Sequence, residues 1–324
     1  MIQDGPLEVV LATQLPPDSW FEGFAVRPNN HLLAARLDAP AVYDIDAEDP
    51  DAEPHLVFEF PGMAAALNLC AIPGRPEEYS VIVSEISDLN ACRWEKFYVW
   101  HLDLSGSEPK ATNNGYLTDC ALPLGLMAVT ERHILVADSA QSCIQCLDVT
   151  TGRSTVVLAD KESMDPYDDE SFFGVNRMAV ANGFLYYTNF STGQIYRAPV
   201  EVDEGDPKTP VRVTGPAELV TDDLQHCDGF KITPDGSAAY TLNCIDGKLM
   251  RTDLNAEVGM AESTPVADKL VSPTCLELGN KGEGKQKLFV MCCGEIEVGW
   301  LDDRFTWKDI ADLTAATVEV TVSQ

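Results

Sequence analysis

Glu22, Asn176 and Asp228 carry hard oxygen atoms at matching places in a repeated phrase. The phrase is clearest in two copies. From Asn176 it reads Asn-Arg-Met-Ala-Val, a turn at Ala181-Asn182-Gly183, Phe-Leu-Tyr-Tyr-Thr-Asn, Ser-Thr-Gly and Gln-Ile-Tyr-Arg. From Asp228 it reads Asp-Gly-Phe-Lys-Ile, a turn at Pro234-Asp235-Gly236, Ala-Ala-Tyr-Thr-Leu-Asn, Asp246-Gly247 and Lys-Leu-Met-Arg. Four further stretches keep an apolar residue at +2 and an aliphatic one at +4; they open on Glu22, Asn68, Gly125 and Thr274. If these openings meet, two carboxylates and an amide share one small space. That is costly unless water or a cation compensates the charge. Glu22, Asn176 and Asp228 would suit Ca²⁺, Mg²⁺ or Mn²⁺ and would suit a thiolate-seeking metal poorly. A water-filled polar channel mouth without metal is the alternative.

The elements that must bring these residues together are short β-runs joined by turn residues, the pattern of successive hairpins. The steps between openings are 46, 57, 51, 52 and 46 residues, from 22 to 68, 125, 176, 228 and 274. Six units of about 50 residues predict an all-β chain folded as a six-bladed β-propeller. Each unit is too small to bury both sheet faces alone, so it must pack on its neighbours. The repeat spans residues 1–324 as a single domain. Residues 7–13 and 317–322 are strand-like and lie outside complete units, so strands from both termini are expected to close the ring. The long second turn of the second unit, residues 84–96, reads as a lid, and residues 307–314 allow a turn or two of helix.

Composition narrows the function. The 324 residues have a formal net charge of -30, which argues against nucleic acid and against an anionic membrane surface. The acid gathers at residues 44–53, 160–170 and 201–206, where solvated loop surface is the simple reading. No apolar run approaches 18 residues. The first residues show no basic segment followed by an apolar one, so a cytoplasmic location is expected. The ten cysteines then read as buried thiols. Cys143 and Cys146 form a lone CxxC on a strand, and Asn189-Phe-Ser reads as a chance sequon.

Glu22-Gly23 in the first unit, Gly174-Val175-Asn176 before the fourth and Asp228-Gly229 in the fifth resemble the senescence marker protein/gluconolactonase family of six-bladed propellers. The resemblance implies that Glu22, Asn176 and Asp228 bind a divalent cation. It also implies, for lactonase-type members, a metal-polarised lactone and a water activated by an acidic ligand. The sequence departs from that type in three ways. Gly125 stands where those lactonases carry an Asn, Arg177 replaces the Gly after the fourth-unit Asn, and no sugar-gripping Arg is recognisable. The run from Trp20 to Ala34, the run from Pro40 to Asp46 and Asp222-Asp223-Leu224 resemble a fungal subgroup of these propellers. That resemblance implies a biosynthetic hetero-Diels–Alderase joining a quinone methide to a polyene or terpene, with a polyketide- or terpenoid-type substrate and no required cofactor.

Such a cycloaddition needs a near-attack pose, worth roughly 7–11 kcal/mol, and donors aimed at a carbonyl that gains electron density. Glu22, Asp228 and His226 are the candidate catalytic groups; Arg36, Asn68, Trp94, Gly125, Phe173, Arg177, Asn243 and Thr274 are the candidate substrate contacts. Phe21 and Phe172 are further candidate walls. None of the five His opens a unit, and no Ser elbow or phosphate loop is present. The readings carried forward are a cyclase acting by positioning, a metal-dependent lactone hydrolase, and a non-catalytic propeller that binds a partner by its rim.

Overall fold

The computed structural model describes residues 7, 9–17, 19–49, 51–89, 93–167, 173–206, 208–257, 259, 261–279, 285–293, 298–301, 304–307 and 314–323. The chain starts with β1 (Val9–Pro17). The first sheet follows, with β2 (Phe21–Val26), β3 (Leu32–Arg36), β4 (Ala41–Ile45) and β5 (His55–Glu59). The second holds β6 (Ala65–Ala71), β7 (Glu78–Asp88), β8 (Arg93–Asp103) and β9 (Lys110–Tyr116). The third holds β10 (Pro123–Ala128), β11 (His133–Asp138), β12 (Cys143–Asp148) and β13 (Arg153–Ala159). One helical turn, α1 (Lys161–Met164), precedes the fourth sheet. That sheet holds β14 (Val175–Ala181), β15 (Phe184–Asn189) and β16 (Gln194–Val202), with β17 (Val211–Val213) and β18 (Glu218–Thr221) both pairing β16. The fifth holds β19 (Cys227–Ile232), β20 (Ala238–Asn243), β21 (Lys248–Asp253) and β22 (Ser263–Ala267).

All these sheets run antiparallel in chain order, the meander of a β-propeller. Five blades, not six, are complete units of consecutive strands. The unit opening near Thr274 supplies only β23 (Pro273–Leu278) and β24 (Lys285–Cys292) to its sheet. A separate hairpin, β25 (Val298–Leu301) and β26 (Arg304–Trp307), follows. The sheet is filled by β27 (Thr314–Ser323) against β24 and by β1 against β27. Its two remaining strands are therefore drawn from the two ends of the chain.

The core lies between sheets. Val81, Val83 and Trp100 of the second sheet pack with Leu33, Ala35 and Val42 of the first. Leu135 and Ile144 pack with Leu185 and Tyr187 across the third and fourth. Phe289 and Met291 pack with Phe21 and Phe24. Each inner strand lies on the next, β2 on β6, β6 on β10, β10 on β14, β14 on β19 and β19 on β23; β23 also packs on β2.

Two local expectations change. Residues 84–96 do not form an open loop where they are described. β7 and β8 stay paired to Asp88 and Arg93, held by the Ser84 hydroxyl near Ile86 O and Glu95 O and by a Lys96–Glu85 ion pair at 2.6 Å. Trp307 ends a strand, and residues 308–313 of the expected helix lie outside the described residues. The repeated Asn-x-x-x-Gly is architectural. Asn189 Nδ2 donates to Ser163 O and Asp165 O, and Gly193 has φ +69°, with backbone of Gln225 where a Cβ would stand. The nine cysteines within the described residues are free thiols.

Candidate functional site

All six inner strands carry a register irregularity near their start. A bulge re-aims the side chain it displaces. The displaced residues are Glu22, Leu67, Leu124, Asn176 with Arg177, Asp228 with Gly229, and Thr274. The second and third openings are therefore Leu67 and Leu124, one residue before the expected Asn68 and Gly125. Asn68 and Gly125 align instead with Gly23. This layer is tightly packed: a Cβ on Gly125 would stand 2.1 Å from Asn176 O, and one on Gly23 would stand 2.1 Å from Asn68 Oδ1.

Glu22, Asn176 and Asp228 are brought together, with Arg177 between the two carboxylates. Arg177 Nη2 donates to Glu22 Oε1 at 2.7 Å and to Asp228 Oδ1 at 3.4 Å, and Nη1 donates to Leu124 O at 3.2 Å. Asn176 Nδ2 donates to Asp228 Oδ1 at 3.1 Å. Trp20 Nε1 donates to the other Glu22 oxygen at 2.9 Å. Within this cluster Asn176 Oδ1 and Arg177 Nε are buried with no hydrogen-bond partner among the described residues. Burial first, and then the Asp228 charge, push the Glu22 carboxyl from 4.5 up to about 7, against the opposing pull of Arg177 and Trp20. Burial also raises Asp228, with Arg177 and Asn176 opposing. Burial works against the Arg177 charge, but the facing carboxylates outweigh it and raise its pKa. The cluster is thus a buried acid–guanidinium–acid bridge in which Glu22 holds or releases a proton near neutrality.

A divalent cation does not fit this arrangement. It needs carboxylate oxygens at about 2.0–2.6 Å, and the positive guanidinium already stands between them at 2.7 and 3.4 Å. The cation that the charge balance demands is supplied by the chain itself.

The other candidates divide. Asn68 Nδ2 donates to Leu124 O at 2.7 Å and its Oδ1 accepts from Leu69 N at 2.8 Å, so it ties β6 to β10 beneath the cluster. Thr274 Oγ1 lies 3.5 Å from Cys293 Sγ. Phe173, Phe190 and His226 form a ladder of edge contacts with centroids 5.6 and 5.8 Å apart. Burial lowers the His226 imidazole, with Asp246 opposing. Trp94 is buried in the core beside Trp20 and Leu67. Phe21 packs edge-on to Tyr43 at 5.6 Å in the core. Arg36 forms a close ion pair with Asp38 and lies over the Phe21 and Tyr43 rings. Asn243 Oδ1 accepts from Asp246 N at 2.9 Å in a turn. Phe172 lies outside the described residues.

Sequence reasoning missed Trp20, whose indole two residues before Glu22 was visible, and an ion pair between β19 and β23. Lys231 Nζ lies 2.6 Å from Glu277 Oε1. Both are lone charges in the inner-strand phrases Asp-Gly-Phe-Lys-Ile and Thr-Cys-Leu-Glu-Leu, a signal that could have found them. They border a cavity of about 340 Å³ walled by residues of all six inner strands. Arg177 and Asn68 border it as well, but Glu22 and Asp228 do not. Their side chains are 13% and 11% exposed.

No family model matches the chain, and no curated protein matches it. Solved structures do. The chain is similar to a luciferin-regenerating enzyme at 11% identity and TM-score 0.61, covering 99% of this chain and 98% of that one. It is similar to a Thermus thermophilus protein described as an oxidoreductase (glucose dehydrogenase), at 13% identity and TM-score 0.60 over 97% and 99% of the two chains. It is similar to the PQQ-bound aldose sugar dehydrogenase of Streptomyces coelicolor, at 12% identity and TM-score 0.56 over 98% and 99%. At these identities the likeness establishes the β-propeller fold. Among the described residues no helix is long and apolar enough to cross a membrane.

Proposed function

We propose that this protein is a small-molecule enzyme that joins or closes an apolar, carbonyl-bearing substrate over the strand-start face, by positioning and hydrogen bonding rather than through a divalent metal. The particular reaction we assign is a (hetero-)Diels–Alder cyclisation of a polyketide- or terpenoid-type substrate, as in fungal specialised metabolism in a reducing cytoplasm. One observation carries this reading: the Arg177 guanidinium sits between Glu22 and Asp228. A lactonase of the resembled type would need that position for its metal. The fixed guanidinium and a Glu22 acid near 7 instead offer hydrogen bonds to an oxygen that gains charge as the ring forms. Holding diene and alkene in a near-attack pose supplies the larger part, roughly 7–11 kcal/mol.

The composite sheet of β1, β27, β24 and β23 is, in this reading, a sixth blade that closes the ring. The packing of Phe289 and Met291 on Phe21 and Phe24 supports it.

The test is a two-panel assay in excess EDTA. One panel holds γ- and δ-lactones; the other holds an ortho-quinone methide, released from its precursor, with a polyene or terpene alkene. Enantio-enriched cycloadduct formed faster than without protein is the expected result, and Arg177→Met should abolish it. Lactone hydrolysis that EDTA stops and Mn²⁺ or Ca²⁺ restores refutes the assignment.

A further inference from the structure

The side chains of Glu22, Asp228 and Arg177 are all nearly covered. A substrate meets them only after part of their surroundings moves. One part of those surroundings is the outer end of β7 and β8. Past Ser84 these strands continue as a two-stranded ribbon, with Ile86–Asp88 paired to Arg93–Glu95. Trp94 of the ribbon is buried, while Arg93 and Glu95 on either side of it are exposed. Trp94 shares one apolar cluster with Trp20, Leu67 and Cys293, and Leu89 packs against that cluster. Leu67 opens the second sheet, Cys293 lies by Thr274, and the Trp20 indole donates to Glu22. The ribbon therefore leans inward, over the strand starts, and does not stand out into solvent.

Its root is a break in the ladder. Pairing passes from Ser84–Phe97 to Ile86–Glu95 and skips Glu85 and Lys96. Lys96 has φ +60°, a conformation that strains a residue with a side chain. The Ser84 hydroxyl spans the break, 2.5 Å from Ile86 O and 2.6 Å from Glu95 O. The Glu85 carboxylate accepts from Lys96 Nζ at 2.6 Å and from the Tyr98 hydroxyl at 3.0 Å. Hinges are a few such positions that absorb a backbone rotation. A two-stranded ribbon has little stability of its own, so the Trp94 contact fixes its pose. That contact carries a cost: Trp94 Nε1 is buried with no hydrogen-bond partner among the described residues. Opening would hydrate the indole and remove the cost. Apolar burial holds the ribbon down, and the unmet N–H and the Lys96 backbone favour its release.

We propose that the β7–β8 ribbon is a flap over the Glu22–Arg177 cluster, hinged at Glu85 and Lys96 and latched by Trp94 beside Trp20. Its part in admitting substrate rests on the function proposed above. Its motion does not, and is measured without substrate.

The test is hydrogen exchange of indole and backbone N–H groups in the whole chain, followed by ¹⁵N NMR. The Ile82 and Val99 amides, in the buried part of the same strands, report global unfolding. The Trp20 and Trp94 indole N–H groups should exchange at least about a hundredfold faster than those amides. Trp94→Ala should speed Trp20 exchange at least about tenfold further relative to Ile82 and Val99, a ratio that cancels any change in global stability. Leu89→Ala, a milder truncation in the same cluster, should shift it the same way. Trp20 exchange that keeps pace with Ile82 and Val99 in the parent means that only global unfolding exposes it, and overturns the flap. Faster Trp20 exchange that neither variant changes places the opening elsewhere and also overturns it. A chain that passes this test but forms no cycloadduct keeps the flap and loses the cyclase assignment.

Discussion

Replacing Glu22 by Gln should make stability depend on pH in a specific way. In the folded chain the Glu22 carboxyl holds its proton up to about 7, against 4.5 in an ordinary setting. Between those values the native state binds more protons than the unfolded state, so this group makes stability fall as pH rises. Its contribution is complete below 4.5 and lost above about 7. One pKa unit corresponds to about 1.4 kcal/mol, so the whole effect is about 3 kcal/mol. The substituted amide cannot ionise and removes that slope. It also has a single acceptor oxygen for two donors, Trp20 Nε1 and Arg177 Nη2. One donor is stranded at a pH-independent cost of about 1–3 kcal/mol. The variant should therefore be less stable than the parent at pH 5 and should match or exceed it at pH 8. Urea unfolding followed by tryptophan fluorescence at pH 5, 6, 7 and 8 measures the difference, in which groups common to both proteins cancel. A difference that stays flat, or that moves against the variant as pH rises, would refute the reasoning. It would mean that Arg177 keeps Glu22 ionised throughout.

Two further outcomes follow from the same cluster. Arg177→Met leaves two buried carboxylates without a counter-charge and should cost about 3–5 kcal/mol at pH 8. The loss should be smaller at pH 5, where the carboxyls take up protons, and Arg177→Lys should not restore it because an ammonium cannot span Glu22, Asp228 and Leu124 O together; denaturant midpoints check both. Gly125→Ala forces a Cβ to 2.1 Å from Asn176 O and should cost at least about 2–3 kcal/mol, whereas Gly62→Ala, with open space but φ +79°, should cost about 1 kcal/mol; thermal melts distinguish them.

The inner part of each blade was legible because its strands are buried. β3, β11 and β20 are apolar almost throughout. The outer strands β5, β9 and β13 are largely exposed, so no apolar alternation marks them. The count of six equal units was misleading because the last unit borrows strands from both chain ends, and a repeat search sees only contiguous copies. The hub was legible at Glu22, Asn176, Asp228 and Thr274 but slipped by one residue in the second and third sheets. Leu67-Asn68 and Leu124-Gly125 both fit the apolar spacing, and only the bulge decides between them. Arg177 was visible as a departure from the resembled family, but its bridge to Glu22 spans 155 residues and no local signal reveals it. The lid expected at residues 84–96 became a long hairpin because polar cross-strand ties between Ser84, Glu85 and Lys96 extend the ladder.

Metal content tests the central claim most directly. The purified protein is equilibrated at pH 7.5 with millimolar Mn²⁺ or Ca²⁺, desalted and assayed by plasma mass spectrometry beside Glu22→Gln and Asp228→Asn. With the Arg177 guanidinium as the built-in cation, none of the three should retain a stoichiometric ion. One equivalent retained by the parent and lost in both variants would contradict the account.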